Sequence, residues 1–282
     1  MKDHLYIKTN KALSDYRNQL FNDQIEIIAI DFEAEYNLHE YGERLCLIQI
    51  YDGKRFVIID PFLLGTNELK QILENKNITK IFYDASSDKA LVYKQYGIRI
   101  NSILDLMDFV QLLELQKKGL DSVLDSVLNI SVSKKKQFQM HNWTIRPINN
   151  DALQYALSDV EYLFPLKDAL LKKIINDNLY EDLLIKVINT DKEINMNTVP
   201  GVKKRKTYKS LSSNNKKIFD NIYTIRDKYA KKLNWPPNNE ISNDNVLKLA
   251  KNINILDGSF IHPKTPGNIR TEILVNLKEM NI

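Results

Sequence analysis

One cysteine, Cys46, in 282 residues rules out an intrachain disulfide. The four histidines, His4, His39, His141 and His262, are too scattered along the chain to suggest a zinc motif. No apolar run approaches the roughly 20 residues that a membrane-spanning helix needs. The opening residues Met1–Lys2–Asp3–His4 lack the basic-then-apolar order of a signal peptide. These absences lead to the expectation of a cytoplasmic chain, neither exported nor embedded in a membrane. Internal repeats and low-complexity tracts are absent as well.

What is present is enough apolar material for a sizeable core: 43% of the residues are hydrophobic, and the length suits one large domain with one small one. The net charge of +4 conceals an uneven distribution. Residues 1–182 hold 22 basic and 27 acidic side chains, whereas residues 183–282 hold 18 basic and 9 acidic. An acidic region suits cation binding, and a basic one attracts a polyanion.

Short β-rich runs at Ile25–Phe32, Arg44–Tyr51 and Arg55–Asp60, with Asp52–Gly53 as a hairpin signal, predict three antiparallel strands. Alternation follows: a helix around Asn67–Glu74, a strand at Lys80–Tyr83, a helix around Ser87–Tyr96 closed by Gly97, and a short strand near Ile103–Asp105. From Leu120 the pattern is helical, with a break at Ser131–Asn142. It resumes at Asp151, where Asn149 and Asn150 offer N-caps, and Pro165 is expected to kink or divide the helix Asp151–Lys173. A polar and basic stretch through Lys203–Lys204–Arg205–Lys206 reads as a linker. The runs Lys216–Leu233, Asn245–Ala250 and Ile269–Met280 read as a small helical module.

Four acids stand out against this frame. Asp31 and Glu33 end a strand, Asp88 lies in the first turn of a helix, and Asp159 follows Tyr155 by one helical turn, so that those two share a face. Carboxylates brought together require cations to neutralise them. Two divalent ions so held can cut a phosphodiester.

The segments Ile30–Asp31–Phe32–Glu33, Phe82–Tyr83–Asp84–Ala85–Ser86–Ser87–Asp88 and Tyr155–Ala156–Leu157–Ser158–Asp159–Val160 resemble, in order and spacing, the three exonuclease motifs of the ribonuclease D family, within the DEDDy 3'-5' exonucleases. The intervening Leu47–Ile48–Gln49–Ile50, Ile59–Asp60–Pro61, Leu104–Asp105–Leu106–Met107, Trp143, Arg146–Pro147 and Tyr162–Leu163–Phe164–Pro165 extend the likeness. The C-terminal module resembles an HRDC domain, with Ile225–Arg226–Asp227 and Leu249–Ala250 at its recurrent features.

The resemblance implies an α/β chain with a ribonuclease H-like mixed five-stranded sheet flanked by helices, plus a small all-α HRDC-like domain. The expected limits are residues 1–185 for the exonuclease, 186–207 for a basic linker and 208–282 for the HRDC-like part. It implies two divalent ions, Mg²⁺ or Mn²⁺. Asp31, Glu33 and Asp159 would hold one, and Asp31 with Asp88, partly through water, the other. Tyr155 would orient the attacking water. Phe32 would flank the last base by stacking, and Lys136 and Gln139 would meet backbone phosphates.

The implied activity is trimming of single-stranded RNA 3' ends, with tRNA precursors as partners, by a monomer that releases nucleoside 5'-monophosphates. Two rivals stay open on the sequence alone: a DNA exonuclease of proofreading or Werner type, and a non-catalytic RNA-binding protein. Phe32, Tyr83 and Asn142 depart from the family's usual residues at their positions, and none of them is a metal ligand. Asp105 reads as a cap or supporting residue outside the metal set, and Trp143 and Arg146 as residues that pin a loop.

Overall fold

The computed structural model describes residues 2–131, 136–190, 194, 199–252 and 257–279. The chain divides into two compact units, Met1–Ala34 with Arg44–Met196, and Glu35–Glu43 with Asn197–Ile282.

The first unit is built on a six-stranded sheet. Its elements in order are β1 (His4–Ile7), α1 (Asn10–Asn22), β2 (Ile27–Tyr36), β3 (Glu43–Tyr51), β4 (Phe56–Ile59), α2 (Thr66–Leu73), β5 (Thr79–Phe82), α3 (Ser86–Tyr96), β6 (Ile103–Asp105), α4 (Leu106–Leu112), α5 (Leu120–Leu128), α6 (Asn150–Glu161), α7 (Leu163–Asn176) and α8 (Tyr180–Thr190). The strand order is β1-β4-β3-β2-β5-β6. β3 and β4 pair antiparallel, while β1 with β4, β2 with β5 and β5 with β6 are parallel. The sheet is therefore mixed, as expected, with one strand more than the five anticipated. The extra strand, β1, has only four residues at an edge, too few for alternation to register.

Alternation along β2 assigns its two faces. Ile28, Ile30 and Phe32 enter a core with Leu13 and Leu20 of α1, Leu69 and Ile72 of α2, and Leu91 and Val92 of α3. Ala29, on the opposite face, joins Ile81, Phe109, Leu166 and Leu170. A neighbouring cluster on that side seats Leu47 and Ile58 against Ala152, Leu153, Ala156 and Leu157 of α6. Asp31 and Glu33 share the parity of Ala29, so period-2 geometry turns them towards the layer that contains α6.

Local chemistry sets the element ends. Gly53, at φ +85°, makes the turn between β3 and β4, and the Asp52 carboxylate accepts from the backbone N–H groups of Lys54 (2.9 Å) and Arg55 (2.7 Å). Gly97 closes α3 in the left-handed region at φ +67°. Asn149 caps α6 by accepting from Asp151 N at 2.7 Å. The expected long helix is divided, at Tyr162 rather than at Pro165. Pro165 sits in the first turn of α7, where its missing N–H leaves no intrahelical bond unmade.

The second unit is helical: α9 (Gly201–Lys204), α10 (Lys206–Lys209), α11 (Ser213–Leu233), α12 (Pro237–Glu240), α13 (Asn243–Lys251) and α14 (Gly267–Glu279). Phe219, Ile222, Tyr229, Val246, Ile269 and Ile273 form its core. Val202 is buried in the same core, so part of the stretch read as linker, 186–207, packs with this unit. Arg226 is 2% exposed and donates from Nη1 to Ile241 O (3.1 Å) and Asn243 Oδ1 (2.8 Å). In the segment Glu35–Glu43, which clusters with these helices, the Tyr41 hydroxyl donates to Asp227 Oδ2 at 2.8 Å.

Candidate active site

β2 and α6 bring three of the four acids together. Carboxylate oxygens of Asp31, Glu33 and Asp159 all lie within 4.8 Å of one another. Among the described residues no other group of three or more His, Cys, Asp or Glu side chains meets this distance. Asp88, on the first turn of α3, stands outside the threesome. Burial, then the negative charges of Asp84 and Asp105, push its carboxyl up to about 7.

An all-oxygen, all-anionic donor set matches a hard divalent cation such as Mg²⁺ or Mn²⁺ and is a poor match for a thiophilic metal. Such crowding of like charge is costly unless a cation or protons offset it.

Tyr155 lies one turn before Asp159 on α6. Aromatic rings surround it: Phe138 at 5.5 Å between centroids, and Trp143 at 6.5 Å and nearly parallel, with His141 edge-on to Trp143 at 4.8 Å. Phe138 and His141 come from the stretch Ser131–Asn142 that reads as a break in the helical pattern, Trp143 follows directly after it, and together they bracket the phenol ring from the loop side.

Arg146 anchors the collar. Its five N–H donors all find acceptors: Nε on Asp60 Oδ2 (2.5 Å), Nη2 on Asp60 Oδ1 (3.1 Å) and Cys46 O (2.6 Å), and Nη1 on Trp143 O (2.7 Å) and Ile145 O (3.0 Å). Asp60 is buried and also accepts from the Tyr6 hydroxyl at 3.0 Å. Burial first, and then Asp60, hold that phenol at about 12. Sequence reasoning placed Arg146 as a loop pin but did not name Asp60 as its partner. The signal lay in the buried-strand context of Ile59–Asp60–Pro61, where an acid needs a cation.

Asp105 is a cap, as its sequence reading has it, and it supports a second element as well. Its carboxylate accepts three backbone N–H groups, from Asp84 (2.8 Å), Ala85 (2.9 Å) and Met107 (3.0 Å). Burial raises its carboxyl above the usual range, and the three donors oppose that rise. Tyr83 is half-buried and donates to Lys118 O at 2.5 Å. Its phenol is pushed up by burial, then by the charges of Asp105 and Asp84.

The three expected substrate contacts fare differently. Phe32 is 7% exposed and packs edge-on against Phe82, with centroids 5.5 Å apart. The ring lies in the core on the sheet face opposite Asp31 and Glu33, so it has no free face to offer a base. Gln139 is exposed on the 3-10 turn Lys136–Met140. Lys136 begins that turn, and its side chain lies outside the described residues.

Residues 5–175 match the family model described as 3'-5' exonuclease. The chain is 26% identical over 265 residues to ribonuclease D of Desulfotalea psychrophila, covering 89% of this chain and 67% of that protein. It is 26% identical over 190 residues to the exosome complex exonuclease RRP6 of Saccharomyces cerevisiae, covering 67% of this chain. The chain spans only about a quarter of that relative's length, 25%. The crystal structure of the catalytic core of RRP6 from Trypanosoma brucei superposes with a TM-score of 0.79 at 21% identity, covering 99% of this chain and 80% of that one. The mixed sheet and its helical layers are thus the ribonuclease H-like exonuclease fold, and with more than half its length matched, this chain belongs to the 3'-5' exonuclease family.

Proposed function

We propose that this chain is a divalent-metal-dependent 3'-5' exoribonuclease that trims single-stranded 3' ends of structured RNAs, tRNA precursors among them, and releases nucleoside 5'-monophosphates. The observation that carries the reading is the convergence of Asp31, Glu33 and Asp159 to within 4.8 Å, with Tyr155 one turn away on the same helix. Relatives named ribonuclease D and exosome exonuclease support RNA as the substrate class.

Asp31, Glu33 and Asp159 would hold one ion, and Asp31 with Asp88, partly through water, a second. When bound, the pair supplies a lowered pKa for a nearby water and neutralises charge at the departing 3' oxygen. The residues of the chain do the rest. The Tyr155 hydroxyl hydrogen-bonds the attacking water and aligns it with the phosphorus, and the collar of Phe138, His141 and Trp143 restricts the phenol to that direction. The exposed Gln139 meets a backbone phosphate. Residues 208–282 would make an HRDC-like unit, and their net positive charge favours RNA.

The test is digestion of a 3'-labelled single-stranded RNA with Mg²⁺ or Mn²⁺, beside a DNA strand of the same sequence. The expected result is stepwise shortening from the 3' end, faster on RNA, abolished by chelation and by Asp31→Ala. Shortening that persists in Asp31→Ala, or after chelation, overturns the proposal.

A further inference from the structure

Asp105 closes β6 and opens α4, and its carboxylate caps α4 in the ordinary way through Met107 N–H at 3.0 Å. Its other two bonds reach back some twenty residues to the turn between β5 and α3. Oδ1 accepts from Asp84 N (2.8 Å) and Oδ2 from Ala85 N (2.9 Å). Strand pairing sets up this reach, because β5 and β6 run parallel with Phe82 opposite Asp105. The aspartate thus arrives beside the turn that Phe82 enters.

That turn needs an external partner. Asp84 holds a left-handed conformation at φ +64°, which a non-glycine residue adopts at a cost. Ala85 occupies the N-cap position of α3 and has no side chain with which to cap it. Asp105 accepts instead from the N–H groups of Asp84 and of Ala85 itself, the two residues that lead into α3, and so ties the start of that helix to another element. Asp88 lies three residues beyond Ala85, and its carboxyl moves with the first turn.

We propose that Asp105 is a positioning residue for the second cation site: it touches no ion, and it holds the first turn of α3 where Asp88 can reach one. The inference rests on the reading of Asp88 as a ligand. Removing an outer support of this kind typically weakens metal binding by roughly 10–100-fold.

Two substitutions separate this role from general stability. Asp105→Asn keeps the shape but puts an amide N–H against one of the three donors. Asp105→Ser keeps a good cap for α4 while its short side chain gives up the bonds to Asp84 and Ala85. Mn²⁺ binding to the full chain is followed by electron paramagnetic resonance, with folding checked by circular dichroism. The wild type is expected to take up two ions. Both variants are expected to keep the first and bind the second at least tenfold more weakly, as Asp88→Ala does, and Asp105→Ser combined with Asp88→Ala should lose no more than Asp88→Ala alone. Raised Mn²⁺ should restore RNA shortening in Asp105→Ser without a change in KM for RNA. A folded Asp105→Ser that binds both ions as tightly as wild type overturns the positioning role alone. A wild-type chain that binds no second ion, or an Asp88→Ala chain that binds both normally, overturns the ligand reading and this inference with it.

Discussion

Asp31 and Glu33 share a face through the two-residue repeat of β2, Asp159 joins them from α6, and crowding the three charges together stabilises none of them. Replacing any of the three by Ala should lower release of 5'-monophosphate by more than ~10³-fold, because a ligand and its charge are lost together. Tyr155→Phe keeps the ring in its aromatic collar and removes only the hydroxyl, so a loss nearer ~10²-fold is expected. Single-turnover assays at saturating metal distinguish the two.

Asp88 adds a pH dependence. Burial, and then the charges of Asp84 and Asp105, push its carboxyl up to about 7, well above the ordinary aspartate range, so the metal-free fold holds a proton there that the unfolded chain gives up earlier. Stability from this group is therefore greatest at low pH and declines as pH rises towards 7. With Asp88 as the proposed ligand of a second ion, cation binding should run the other way, because below about 7 the proton must leave first. Mn²⁺ affinity should weaken as pH falls from about 8 to 6, and calorimetry in buffers of different ionisation enthalpy should register proton release on binding.

Phe32 shows how much the residue scale could teach in advance. Its parity along Ile27–Tyr36 is opposite to that of Asp31 and Glu33, which sets its ring on the other face of the sheet. The resemblance, which stresses adjacency in sequence, pulled it towards the substrate. Phe32→Leu should lower the denaturation midpoint by repacking the contact with Phe82 and leave KM for RNA unchanged.

At the scale of elements, the long or capped pieces were legible. β2, β3, β5, β6 and α3 lie within a few residues of their sequence limits, as does the start of α6, because apolar periodicity and end signals agree there. Four-residue β1 gave no such signal, and α1 is polar enough along its length that only Leu13, Tyr16 and Leu20 are buried. Their place was decided by tertiary packing against β4 and α2, which no local pattern encodes. The Arg146 clamp belongs to this scale too, since it ties β3, the end of β4 and the Trp143 loop to one guanidinium. Arg146→Ala leaves the buried Asp60 carboxylate without its cation and should cost about 3–5 kcal/mol in urea unfolding. Arg146→Lys cannot reproduce five planar donors and should recover only part of that stability.

At the scale of the whole chain, the charge asymmetry read from the sequence acquires detail in the helical unit. Lys203 pairs with Asp220 at 2.7 Å and Arg205 with Asp244 at 3.0 Å. Within this basic run, Lys204 and Lys206 have no ion pair among the described residues and are exposed. If they meet phosphate, the double substitution to Ala should reduce the salt dependence of single-stranded RNA binding by up to about 0.7 log units per lost contact, with RNA shortening at saturating substrate unaffected. Equal slopes for the two proteins would assign the pair to solvent. No helix among the described residues is long and apolar enough to cross a membrane.

The carboxylate threesome exists only when strand and helix are assembled, because Asp31 and Glu33 are separated from Asp159 by more than a hundred residues of chain. An extended polypeptide has nothing comparable to offer an ion. Divalent cations should consequently act as a brace as well as a reagent, adding about 2.7 kcal/mol at a hundredfold excess over Kd. A cell short of the divalent cation would then lose this protein twice over, through idle molecules and through faster clearance by proteases.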